Sequence, residues 1–195
     1  MKTRNVCVFV LSLLFSLNCI AQEKEKRFAV ELNGGASFAT TELSGADLNT
    51  GVGFEAILQY RFMPFTSVYG GWGWNHFNAD DSFAGADMDF EETGYVLGLQ
   101  FKYPIGNSPV SCFVRGGGLY NHIETENNDG DIVNDTGHGF GWQLAGGVEV
   151  NLGKNWSIAP GVKFNSLSRD TEFEEENYQL DHRYISARVG IIKRF

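Results

Sequence analysis

The sequence predicts an all-β chain, an eight-stranded antiparallel up-and-down transmembrane β-barrel behind an N-terminal signal peptide. Three observations predict it: a basic start followed by a short apolar leader, apolar residues recurring with a period of two, and connections that alternate between tight and long. Met1-Lys2-Thr3-Arg4 supplies the positive start, and Val6 to Leu17 an apolar stretch of about a dozen residues. That stretch is too short to cross a bilayer as a helix. Cys19-Ile20-Ala21 offers a small-residue cleavage site before Gln22, so residues 1–21 are expected as signal peptide and 22–195 as one barrel domain. Acylation at Cys19 is the competing reading, and Ser16-Leu17-Asn18 fits it poorly. Cleavage would leave Cys112 alone, so no intramolecular disulfide is expected in the oxidising compartment. Only Arg115 lies close in sequence to lower its pKa, and Cys112 is expected as an unreactive thiol on a strand face.

Period-two reading places strands at 27–39, 50–62, 66–78, 93–103, 110–122, 138–152, 156–168 and 183–195. The first carries Glu31 on its polar face and Phe38 at its far end. The second is the clearest: Val52, Phe54, Ala56, Leu58, Tyr60 and Phe62 share one face, and Gly51, Gly53, Glu55, Ile57, Gln59 and Arg61 the other. The third carries Trp74 toward its far end. The fourth has Tyr95, Phe101 and Tyr103 with Lys102, and the fifth Arg115 with Tyr120. In the sixth, Phe140, Trp142, Leu144, Val148, Val150 and Leu152 oppose Gln143, Glu149 and Asn151. Trp156 and Lys163 mark the seventh, and the eighth runs through Arg188 to Phe195. An even number is what a closed single-chain barrel requires. With 24 glycines, few helix signals and no later run of 18 apolar residues, a helical membrane protein is excluded.

Three connections are tight, near Met63-Pro64-Phe65, Pro104 to Pro109 and Gly153-Lys154-Asn155. Four are long, at 40–49, 79–92, 123–137 and 169–182. Short turns on one rim and long loops on the other are the pattern of outer-membrane barrels, with both termini and the short turns on the periplasmic side. Periodicity alone also allows a soluble lipocalin-like periplasmic binder with its apolar face inside. Charge placement favours the membrane barrel. Glu31, Glu55, Arg61, Lys102, Arg115, Glu149, Lys163 and Arg188 fall on the polar face, where opposite charges can pair in an interior that eight strands leave just wide enough for side chains. In lipid, a single Arg or Lys at midplane would cost about 2–4 kcal/mol. The expected lumen is therefore a charge network and not an open channel. Aromatics give a second check: Tyr60, Phe62, Phe101, Tyr103, Trp156 and Phe195 lie at the short-turn rim, and Phe38, Trp74, Tyr95, Tyr120, Phe140 and Trp142 toward the other.

The leader, eight strands, alternating loop lengths and terminal Val189-Gly190-Ile191-Ile192-Lys193-Arg194-Phe195 resemble the small outer-membrane β-barrel family of OmpA-type transmembrane domains, OmpX and opacity-type adhesins. The resemblance covers the mature chain. It implies residence in the bacterial outer membrane, contact with membrane lipid and lipopolysaccharide, and delivery by the barrel-assembly machinery. It also implies that Ala187, Val189, Ile191 and Phe195 form the assembly signal, with Lys193 departing from the usual apolar position. The chain ends before any periplasmic peptidoglycan-binding domain, so wall tethering is not expected.

Nineteen of the 24 acidic residues fall in the four long connections, where Arg169 is the one basic residue. Such a surface repels nucleic acid and favours divalent cations, basic partners or an extracellular or host ligand. No cofactor is called for. Asn127-Asn128-Asp129-Gly130-Asp131 with Asp135 faintly resembles a calcium loop but lacks EF-hand spacing, and an acidic turn is the expected form. His76, His122, His138 and His182 all fall at outer strand ends. His122 and His138 share parity across the third long connection and suit a transition-metal pair or, more simply, a polar rim. No nucleophile–base arrangement stands out, so catalysis is not expected. The Gly34-Gly35, Gly70-Gly71, Gly116-Gly117-Gly118 and Gly146-Gly147 clusters join no strand to a helix, and are read as sites of bending and close packing. The expected function is a structural or surface-interaction barrel, with a narrow porin-like channel or a soluble periplasmic lipocalin-like binder as the alternatives.

Overall fold

The computed structural model describes residues 26–195; the expected signal peptide, its cleavage point, Cys7 and Cys19 lie outside them. Nine strands follow one another: β1 Phe28–Ala39, β2 Gly51–Arg61, β3 Thr66–Ser82, β4 Gly85–Pro104, β5 Val110–Glu126, β6 Ile132–Asp135, β7 Gly139–Gly153, β8 Trp156–Phe173 and β9 Glu176–Arg194. Each pairs antiparallel with its chain neighbour up to β5, which pairs with both β6 and β7. The series continues through β8 and β9, and β9 returns to β1 with Gly35 opposite Arg188. These pairings make a ring of eight positions. β6 lies beyond the end of β7 along the same edge of β5, separated from it by Thr136 to His138, with Gly137 at φ 61°.

All eight expected strands are present, but three of the long connections are not loops. β3 and β4 run on as a ladder to Ser82 and Gly85, β8 and β9 to Phe173 and Glu176, and β5 gains β6. The dense Asp and Glu of 79–92 and 169–182 suggested solvated loops, yet the alternation continues through them. Asn78, Asp80, Asp170 and Glu172 face water, while Phe77, Ala79, Met88, Phe90, Thr171 and Leu180 turn inward and are buried. Carboxylates tolerate a strand when every second residue packs against a core. Glu174 and Glu175 close the β8–β9 hairpin with φ of 51° and 69°, the left-handed pair that suits a two-residue turn between twisted strands.

Two solvents are thus written on one barrel. Below the His76–His122 level the outer face is apolar and exposed, with Leu32, Leu58, Leu97, Leu99, Val114, Leu144, Val162, Val189 and Ile191, while the inside holds the buried charges and amides together with two small apolar clusters, Ile57–Tyr69–Val96–Leu119 and Ala29–Phe113–Ala159–Ile192. Above the His76–His122 level the sense inverts. Leu43 and Ala46 of the first long connection tuck in against Ala79, Met88, Phe90, Ile123, Leu167 and Leu180 as an apolar core. Rings mark both boundaries: Phe28 on Tyr60 and Phe65 on Tyr103 below, Phe54 on Trp74 and Tyr120 on Phe140 above.

Candidate functional site

Strand alternation turns every second residue of each strand into the barrel interior, and the charges gather there in tiers. Nearest the short turns, Glu149 on β7 accepts from Lys102 Nζ at 3.2 Å and from Arg194. Next, Arg115 on β5 donates Nη1 to Glu31 Oε1 at 3.0 Å and Nη2 to Oε2. Gln59 Nε2 also reaches Glu31, at 2.7 Å, and Arg115 Nε donates to Gln100 at 2.5 Å. Above it Lys163 Nζ donates to Glu55 at 2.5 Å, and Arg188 bridges Asn33, at 3.3 Å, and Asn75. All these glutamates, Arg115, Lys163 and Arg188 are buried, and each charge that loses water gains a partner of opposite sign or an amide. Lys102 and Arg61 sit lower and are half-buried, with Arg61 donating to the Lys26 carbonyl at 3.4 Å. Of the eight residues singled out from sequence, Glu31, Glu55, Arg115, Glu149, Lys163 and Arg188 are buried inside, and Arg61 and Lys102 stand half-buried at the lower mouth.

Sequence reasoning missed the amides and rings between these charges. Tyr69 spans the lumen, accepting from Gln143 Nε2 at 3.1 Å. A Cβ at Gly98 or Gly117 would stand only 2.7 or 2.6 Å from its hydroxyl, so these glycines are what let the ring lie across β4 and β5. Higher still, Asn121 donates to Glu92 at 2.5 Å and Asn165 to Tyr184 at 2.6 Å, and His182 packs edge-on against Phe77. Glu92 therefore leaves the outward acidic set: it points inward and is only 1% exposed. The signal was present in its parity, since Glu92 shares the inward face of β4 with Phe90 and Gln100.

The expected assembly residues lie elsewhere, on β9 and directly after it. Ala187, Val189 and Ile191 face outward, and the amide of Phe195 donates to the Phe28 carbonyl at 2.9 Å. Lys193 occupies this outer face by laying its ammonium 4.6 Å from the Trp156 ring centroid, while donating to the Lys154 carbonyl. Cys112 is exposed on the same apolar belt.

On the outer surface above the upper aromatics, β3 to β6 set carboxylates directly opposite one another, Glu91 across from Glu124 and Asp89 from Glu126. Burial, together with the charges of Glu91, Glu124 and Asp89, raises the pKa of Glu126. His122 and His138 do meet, stacked at 4.3 Å, with His122 Nδ1 3.0 Å from Asp135 and 3.8 Å from Glu124. Burial of Asp135 is outweighed by hydrogen bonds from His122 and the Gly137 amide, which hold its carboxyl below the usual aspartate range. Asn127 spends its side-chain oxygen on the Asp129 and Asp131 amides, so the calcium-like segment forms an acidic turn.

Residues 7–191 match the family described as outer membrane protein β-barrel domain. No curated protein matches the chain. Among solved structures it is similar to Neisserial surface protein A (NspA), with 14% identity over 86% of this chain and 97% of that one and a TM-score of 0.67. OprG from Pseudomonas aeruginosa gives 13%, 88%, 99% and 0.53, and outer membrane protein W from E. coli 14%, 89%, 100% and 0.55. At these identities the likeness is one of fold.

Proposed function

The chain belongs to the outer membrane protein β-barrel family and resides in the bacterial outer membrane, and from that premise we propose a non-enzymatic, non-conducting barrel that holds an acidic surface outside the cell for cations or basic partners. The observation that carries this reading is the filled interior. Three tiers of ion pairs and amides cross the lumen, Tyr69 fills space among them beside Arg115, and the apolar core of Leu43, Phe90 and Leu180 covers the upper end. A conducting pore of this width would need a continuous wet path through that core.

The short turns share the rim of both described chain ends, which supports a periplasmic assignment for that rim and an external one for the extended hairpins. Their carboxylates stand on paired strands, so they are held in place and keep their mutual repulsion until a counter-charge arrives. Divalent cations bridging lipopolysaccharide phosphates, or a basic protein segment, supply that counter-charge. Among the described contacts the histidines engage carboxylates and rings, with His76 3.4 Å from Asp89 and His138 stacked on His122.

Titration of an oligolysine peptide onto the full chain in phosphatidylcholine nanodiscs tests the surface role. Saturable binding that weakens as salt rises, and weakens further in Asp89→Asn/Glu124→Gln/Glu126→Gln, is expected. No binding at low salt, or equal binding by the variant, contradicts it.

A further inference from the structure

Above the upper aromatics, nitrogen and oxygen donors converge on the outer surface. His122 and Glu124 stand two apart on β5 and so share a face, and Asp135 on β6 lies directly opposite Glu124. His122 Nδ1 is 3.0 Å from an Asp135 carboxylate oxygen and 3.8 Å from one of Glu124, and a donor atom from each of the three lies within 4.8 Å of the others. Neighbouring groups hold this geometry in advance. The Gly137 amide donates to Asp135 at 2.8 Å, and His138, carried back by the turn at Gly137, lies flat on the His122 ring and against Tyr120. Arg169 shares the inward face of β8 with Leu167 and Thr171 and donates to the Thr136 carbonyl.

We propose that His122, Glu124 and Asp135 form a binding site for a divalent transition-metal ion of the zinc class. The site lies on the acidic outer surface proposed above to hold cations; it rests on that reading and names the ion. A tetrahedral zinc ion with bonds of about 2.0–2.2 Å holds its ligand atoms about 3.4 Å apart, and the two separations from Nδ1 straddle that value. The imidazole sets the preference. Calcium and magnesium take oxygen ligands throughout, whereas one ring nitrogen with two carboxylates suits zinc and its neighbours. The ion takes the place of the proton between Nδ1 and Asp135, and the neutral ring keeps its proton on Nε2. Rings already stacked and a carboxylate already anchored lose little freedom when the ion arrives. Asp135 is half exposed, so the ion enters directly from solvent, and Glu91 and Glu126 beside Glu124 add negative charge that draws it in.

The tag-free full chain in phosphatidylcholine nanodiscs is titrated with Zn2+ in the presence of excess Ca2+, with binding read by calorimetry and the ring resonances of His122 and His138 followed by NMR. Saturable binding of one ion that shifts the His122 ring is expected. His122→Gln and Asp135→Asn, each checked for folding by its heat-modifiable gel band, should weaken that binding by about tenfold or more. The proposal is overturned if Zn2+ does not bind saturably, if Ca2+ displaces it, or if either variant binds as the native chain does. Oligolysine titrated onto the same nanodiscs separates this site from the wider surface. Oligolysine binding without Zn2+ binding overturns the metal site alone, and Zn2+ binding without oligolysine binding upholds the site and limits the surface to metal ions.

Discussion

Arg115 on β5 reaches across the barrel to the Glu31 carboxylate on β1, joining two strands that share no backbone pairing. The pair is cross-linked further by Gln59 and Gln100, so its geometry is fixed from four strands.

Removing one member leaves a buried charge without its counter-ion. Arg115→Met or Glu31→Gln alone is expected to cost about 3–5 kcal/mol, and the double substitution Glu31→Leu/Arg115→Met less than the two singles combined. Urea unfolding of the vesicle-inserted chain measures this; additive losses would show that the pair is not coupled.

The core above the membrane predicts a separable stability. Phe90 is fully buried there, and Phe90→Ala is expected to cost about 3–5 kcal/mol. Limited proteolysis should then cut the β3–β4 extension while the barrel still migrates as a folded, heat-modifiable band. Loss of that band would mean that the extension and the barrel fold as one unit.

Glu174 and Glu175 turn with positive φ, a conformation that costs a side-chain-bearing residue about 1–2 kcal/mol and suits Asn-Gly. Glu174→Asn/Glu175→Gly should slow amide exchange across the β8–β9 tip. Unchanged or faster exchange would count against this turn geometry.

Two carboxyls on the outer patch give pH effects of opposite sign. Glu126 has a raised pKa, from burial and its acidic neighbours, so the fold binds its proton more tightly than the unfolded chain does, and the β5–β6 tip gains stability as pH falls through that raised value. For Asp135, burial is outweighed by its hydrogen bonds and the pKa is depressed. Its contribution is present above the ordinary aspartate value and is lost as pH falls through the lower folded value. Amide exchange of β6 should slow and then quicken on acidification. Glu126→Gln should remove the first limb, and Asp135→Asn the second.

Much of this fold was legible because a strand with different solvents on its two faces must alternate, and β2 does so without interruption from Val52 to Arg61. Membership of the interior followed from the same parity, which placed Glu31, Glu55, Arg115 and Lys163 inside. Their pairing across the lumen was not readable, since it depends on strand stagger and not on sequence distance. The extended hairpins were hidden by composition: Asp80 and Asp81 read as loop until Phe77, Ala79, Met88 and Phe90 are seen packing inside the same strands.

Current through the purified full chain in planar lipid bilayers tests the central claim most directly. A filled lumen predicts a baseline without a stable open level. A persistent ohmic conductance, abolished by charge swaps at Glu55 and Arg115, would contradict it.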